Sequence, residues 1–189
     1  MKKLLLVGIL LLTVCARVGI AGAPCAVVPM PAGWSMIANP CNAGPLTLST
    51  FLTGMPEGTE VYKPAGLTYD FDLFLDGAWD GGGTITLAPG EGAYIYLPAA
   101  AALGYAGIPL VGPNVIAIPA GYSICSPPSG LGMALYPAAD GDIIFRFNNP
   151  LNSWSMYEFI GGDWFPEAPA PAVGESFWVF KVAAAVWIQ

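Results

Sequence analysis

The sequence predicts an all-β protein made of two tandem, pseudo-symmetric repeats of about 85 residues, each a small β-sandwich or barrel-like unit. Three observations carry that expectation: composition, punctuation and an internal duplication. Hydrophobic residues make up 55% of the 189 and charged residues only 10%, so burial can offset the entropy of ordering. The 24 glycines and 19 prolines fall between short apolar runs, which is how strands joined by tight turns are written.

The duplication is the most informative of the three. Pro31-Ala32-Gly33-Trp34-Ser35-Met36 returns as Pro119-Ala120-Gly121-Tyr122-Ser123-Ile124, and Gly58 to Lys63 returns as Gly141 to Arg146. Tyr69 to Trp79 runs parallel to Trp154 to Trp164, with Phe74 on Phe159 and Gly77 on Gly162. Gly90-Glu91-Gly92-Ala93-Tyr94-Ile95 answers Gly174-Glu175-Ser176-Phe177-Trp178-Val179. Four blocks in one order, at offsets confined between 83 and 88, are copies of one unit.

Read in chain order, residues 1–23 form a secretory signal peptide: Lys2 and Lys3, an apolar run from Leu4 to Val14, then a small-residue exit. Cleavage is expected after Ala23 or Ala21. The run is shorter than the roughly 20 residues of a transmembrane helix, so no stable membrane span is expected once it is removed. Residues 24–98 are then the first β repeat, 99–113 an Ala- and Gly-rich linker, and 114–189 the second repeat. Within a repeat, Trp34 to Pro40, Glu60 to Lys63, Tyr69 to Leu75 and Ala93 to Leu97 read as strands, with one helical turn over Leu48 to Leu52. In the third of these, Tyr69, Phe71, Leu73 and Leu75 alternate with Asp70, Asp72 and Phe74, and the apolar set is expected to face the core.

The signatures Ala-Gly-Trp-Ser-Met-Ile-Ala-Asn-Pro (residues 32–40) and Pro-Gly-Glu-Gly-Ala-Tyr-Ile (residues 89–95) resemble a β module repeated in many exported bacterial proteins. That module pairs a Gly-Trp-Ser/Asn-Leu-Ile strand with a Gly-x-Gly-Phe/Tyr-Trp strand, and the resemblance spans both repeats. It implies a secreted or cell-surface protein without enzymatic activity. The second repeat departs from the pattern at Tyr122, where tryptophan is usual, and at Ser176, where glycine is usual.

Charge and residue types narrow the function classes. All 13 acidic residues lie beyond position 56, and only Lys63, Arg146 and Lys181 remain as cations after residue 23, which leaves a net charge of −10. Such a surface repels phosphate backbones and anionic membranes, so nucleic acid is excluded as a partner. The absence of histidine from the sequence removes Ser-His-Asp and Cys-His nucleophile activation and most transition-metal sites. Glu91 and Glu175, the one repeated carboxylate pair, are expected to decorate turns. No catalytic residue is assigned and an enzyme is not expected.

The candidate site residues are few. Asp70, Asp72, Asp76 and Asp80 place four carboxylates within eleven residues and loosely resemble a calcium loop, although the standard spacing and closing glutamate are missing. Calcium is the one cofactor they suggest. Trp79 and Trp164, each followed by a turn, are the candidate aromatic platform for stacking a sugar. Of Cys25, Cys41 and Cys125, the first two flank the first strand and form the expected disulfide, leaving one thiol over. The function expected is a non-catalytic structural or adhesive protein of the cell surface or extracellular space, with the periplasm also open. It would self-associate or bind other surface proteins, in part through the strand-like run Ala183 to Gln189. The alternative is a carbohydrate-binding module using exposed aromatics.

Overall fold

A computed structural model describes residues 25–42, 46–109, 113–127 and 132–188; the expected signal peptide lies outside them. The first half holds β1 (Ala26–Met30), β2 (Gly33–Ala38), β3 (Cys41–Asn42), β4 (Leu46–Thr47), the helical turn α1 (Leu48–Phe51) and β5 (Leu52–Thr53). It continues with β6 (Thr59–Ala65), β7 (Thr68–Leu75), β8 (Ala78–Trp79), β9 (Thr86–Leu87), β10 (Gly92–Leu97), β11 (Ala101–Tyr105) and β12 (Ile108–Pro109). The second half holds β13 (Val115–Ile118), β14 (Gly121–Cys125), β15 (Ile143–Asn148), β16 (Ser153–Ile160), β17 (Asp163–Phe165), β18 (Phe177–Lys181) and β19 (Ala185–Ile188). The protein is all-β, and no helix among the described residues is long and apolar enough to cross a membrane.

Each half carries a five-stranded antiparallel sheet of the same order, β2-β10-β6-β7-β8 and β14-β18-β15-β16-β17. A smaller sheet covers one face of each: β1-β11-β5 in the first half, β13-β19 in the second. The sheets stay open, so the sandwich form of the expectation holds and the barrel-like form does not. The core of the first unit lies between its two sheets, where Ile37, Val61 and Ile95 of the large sheet meet Leu103 and Tyr105 of the small one. The second core likewise joins Ile144, Phe177 and Val179 to Ile116, Ile118 and Trp187. Burying each such aliphatic side chain contributes about 1.5–3 kcal/mol. The tight hairpins follow from the turn residues. Asp76-Gly77 and Gly161-Gly162 both have positive φ at two successive positions, as two-residue β-hairpins need, and only Gly, Asn and Asp tolerate that readily.

Two expectations are corrected. Residues 99–113 are not simply a linker: Ala101–Tyr105 is strand β11, hydrogen-bonded in register to β1 and to β5. Its alanines concealed a strand whose Leu103 and Tyr105 are fully buried. The second correction concerns β7, whose faces are inverted. Tyr69, Phe71 and Leu75 are solvent-exposed, while Asp72 is buried and Phe74 packs on the core. Asp72 is tolerated inside because its carboxylate accepts the backbone N–H groups of Leu73, Gly81 and Gly83 at 2.8–2.9 Å. In β16 the equivalent inward position is Tyr157, with Trp154 and Met156 outside.

The two units meet about a pseudo-twofold axis through the duplicated Gly-Glu turns. Ala38 N–H donates to the Gly174 carbonyl (2.8 Å), and the equivalent Ser126 N–H donates to the Gly90 carbonyl (3.1 Å). A Cβ on Gly90 would lie 2.7 Å from Ile116, and one on Gly174 would lie 3.3 Å from Val28. Ile116 and Val28 are themselves equivalent, so the contact is isologous, as in a twofold dimer, but made within one chain.

Candidate functional site: the aromatic outer faces

Among the described residues, a second sheet covers the inner face of each large sheet and no layer covers the outer face. In β10, Ala93, Ile95 and Leu97 point to the core, so Tyr94 and Tyr96 point out. Register then assembles their neighbours. Tyr94 stands opposite Tyr62 of β6, Tyr96 opposite Trp34 of β2, and Tyr62 opposite Phe71 of β7. The rings touch in a continuous ladder: Tyr96–Trp34 at 5.4 Å, Trp34–Tyr62 at 5.5 Å and Tyr62–Phe71 at 4.8 Å between centroids. Tyr69 joins Tyr94 at 6.2 Å.

These side chains form a groove of about 420 Å³ lined by Trp34, Tyr62, Tyr69, Tyr94, Phe147 and Asn152. A second groove, of about 360 Å³, is lined by Tyr122, Phe145, Trp154 and Trp178. Those four are the repeat equivalents of Trp34, Tyr62, Tyr69 and Tyr94, so the duplication has copied an aromatic surface as well as a fold. The grooves adjoin at the axis, where the Trp178 indole N–H donates to the Tyr94 hydroxyl. The first groove is completed from the other unit. After β15 the chain turns through Asn149–Leu151, and the Asn149 amide donates to the Ala32 carbonyl (3.1 Å) and reaches the Trp34 carbonyl.

The electrostatics of the first groove are set by Glu60. Its carboxylate accepts the Tyr62 hydroxyl at 2.6 Å, and that bond, more than burial, pushes the Tyr62 phenol up to about 12. Tyr62 therefore stays a neutral donor throughout the neutral range. The Tyr94 hydroxyl is also raised, chiefly by desolvation. In the second unit Ile143 stands where Glu60 stands in the first, and the outward carboxylate is instead Glu158, opposite Ile143 on β16.

The residues singled out in the sequence fare differently. Trp79 is 8% exposed, packed edge-on to Phe74 at 5.4 Å, and is a core residue instead of a platform. Trp164 is half-buried between Tyr136 and Phe159. Each indole folds back over its short hairpin onto the core, and a following turn does not report that. Of the four aspartates, Asp72 is buried on the inner face of β7 while Asp70, Asp76 and Asp80 are exposed. Among the described residues no group of three or more carboxylates, thiols or imidazoles converges to hold a metal. The Asp72 carboxylate is taken up by the backbone N–H groups of Leu73, Gly81 and Gly83, while Asp76 and Asp80 lie beyond β7 on turns.

Cys25 and Cys41 form a disulfide with Cα atoms 6.2 Å apart, and Cys125 is free and buried. Desolvation pushes the Cys125 thiol up to about 12. Glu91 pairs with Lys63 at 2.8 Å and accepts Ala88 N–H; its equivalent Glu175 pairs with Arg146 at 2.8 Å and accepts Ala172 N–H. Lys181 pairs with Asp142 in the second core. The residues Ala183–Gln189 include β19, one edge of which is taken by β13 and whose Trp187 is fully buried.

The outward aromatics were missed as candidates, yet β10 and β18 announce them. In β10 the aliphatic Ala93, Ile95 and Leu97 alternate with Tyr94 and Tyr96, and in β18 the buried Phe177 and Val179 alternate with Trp178 and Phe180, so one face of each strand carries outward rings. Comparison with protein-family models, with curated proteins and with solved structures gives no match.

Proposed function

We propose that this is a non-catalytic, exported protein of the cell surface or extracellular space, which adheres to a partner through its aromatic outer faces. The observation that supports it is the pair of equivalent grooves on sheet faces that no layer of the described residues covers. Contiguous exposed apolar surface on a folded protein marks an interaction site, and tryptophan and tyrosine are the side chains that anchor interfaces. The non-catalytic reading is supported by the commitment of Glu91 and Glu175 to ion pairs within their turns. Neither is a free acid or base.

The glycan alternative is less well supported. A sugar-stacking platform needs ring faces presented side by side, whereas the contacting rings of the first groove are tilted by 43–60° to one another. Of its tyrosine hydroxyls, that of Tyr62 donates to Glu60 and that of Tyr94 accepts from Trp178. Retention of labelled protein on intact cells and extracellular matrix tests the proposal. The Trp34→Ala/Trp154→Ala double variant should lose at least about tenfold in retention while keeping its fold. Undiminished retention would remove the aromatic faces from the function.

A further inference from the structure

We propose that the groove lined by Trp34, Tyr62, Tyr69 and Tyr94 binds a quaternary ammonium group, a trimethylammonium carried by the partner surface. The inference rests on the reading of the aromatic face as the adhesive surface and names what its first groove takes. Four observations lead to it.

The lining is aromatic in five of six residues, and electron-rich ring faces attract cations, most strongly Trp and then Tyr. The groove carries negative charge at its edge, because Tyr62 donates its hydroxyl to the Glu60 carboxylate. Donation to a carboxylate also enriches the Tyr62 ring and strengthens its hold on a cation. No internal cation competes: Lys63, Arg146 and Lys181 are each ion-paired elsewhere, and the chain beyond residue 23 carries a net −10. Finally, the lining, Asn152 apart, offers ring faces in place of strong acceptors: the Tyr62 hydroxyl donates to Glu60 and the Tyr94 hydroxyl accepts from Trp178. A guanidinium brings five donors and an ammonium three, both requiring acceptors; a trimethylammonium brings none and sheds its weak hydration cheaply.

The second groove sets the contrast within the same molecule. Phe145 replaces Tyr62, which removes the enriched ring, and Ile143 replaces Glu60, so the carboxylate of that face stands one strand over, at Glu158 of β16, and is not bonded to a groove tyrosine. The first groove is therefore the cation site, and the second is an apolar contact.

Isothermal titration of the mature protein at fixed ionic strength tests this with choline and with its neutral isostere, 3,3-dimethylbutan-1-ol. Choline should bind at least about tenfold more tightly than the isostere. Trp34→Ala and Tyr69→Ala, both at exposed positions, should abolish choline binding. Glu60→Gln should weaken choline several-fold and leave the isostere unchanged. Equal binding of choline and isostere, or choline binding that survives Trp34→Ala, overturns the inference. So does an absence of choline binding, and if cell retention still depends on Trp34 and Trp154 in that case, the adhesive reading stands without it. Phosphocholine and a trimethyl-lysine peptide distinguish the source of the group. The acidic surface disfavours phosphate, so the peptide should bind more tightly.

Discussion

Gly92 and Ser176 occupy the same place in the two repeats and face each other across the pseudo-twofold axis. A Cβ on Gly92 would lie 2.3 Å from the Ser176 Cβ, and the Ser176 hydroxyl donates to the Ile37 carbonyl at 2.9 Å. There is room for one side chain at the axis. The two repeats can differ at this position because only one of them carries a side chain there.

Gly92→Ala should destabilise the protein by about 1–3 kcal/mol through overpacking. Gly92 is not in the left-handed region, so the effect isolates packing from backbone strain. Adding Ser176→Gly should recover much of the loss, in chemical denaturation followed by tryptophan fluorescence. Failure of the second substitution to help would mean that the two residues are not in contact.

The buried Asp142–Lys181 pair provides a second test. Thr59 and Leu97 stand at the same positions in the first repeat, both fully buried. Lys181→Leu alone should cost about 3–5 kcal/mol, because it leaves Asp142 buried and unpaired. The Asp142→Thr/Lys181→Leu double variant, which copies the first repeat, should be far closer to wild type.

Much of this was legible in the sequence and some was not. The repeat, the strands β2, β6, β7 and β10, the turn at Leu48 and the Cys25–Cys41 bridge follow from spacing and punctuation. The orientation of β7 did not, because alternation reports that two faces differ and not which one is covered. A buried aspartate satisfied by three backbone N–H groups, one of them from its own neighbour Leu73 and two from a later glycine loop, cannot be foreseen from the strand alone. That same inversion hid the site: the aromatics expected in the core are the exposed ones, and Trp79, expected outside, is inside.

The disulfide closes a segment with a sequence separation of 16. In the chain-entropy account, a loop of that size stabilises by about 3 kcal/mol. Replacing Cys25 and Cys41 by serine should lower stability by about that amount, and proteolysis should show the loss first in the unit that holds both cysteines.

The Cys125 thiol holds its proton to about 12 when folded, against 9.0 ordinarily, because burial penalises the thiolate. Between those values the unfolded chain binds fewer protons than the folded one, so this contribution to stability is intact below pH 9 and lost as pH rises through the window. Cys125→Ala should flatten that alkaline decline. Thiol reagents at pH 8 should label the native protein only at the rate at which it opens.

Oxidative footprinting of the mature protein, free in solution and adhered to its cell or matrix target, addresses the aromatic faces most directly. Trp34, Tyr69 and Trp154 should be reactive in the free protein and protected on adhesion, with Trp187 and Tyr105 unreactive in both states. If Trp34, Tyr69 and Trp154 react equally in both states, the aromatic faces are not the surface through which this protein works.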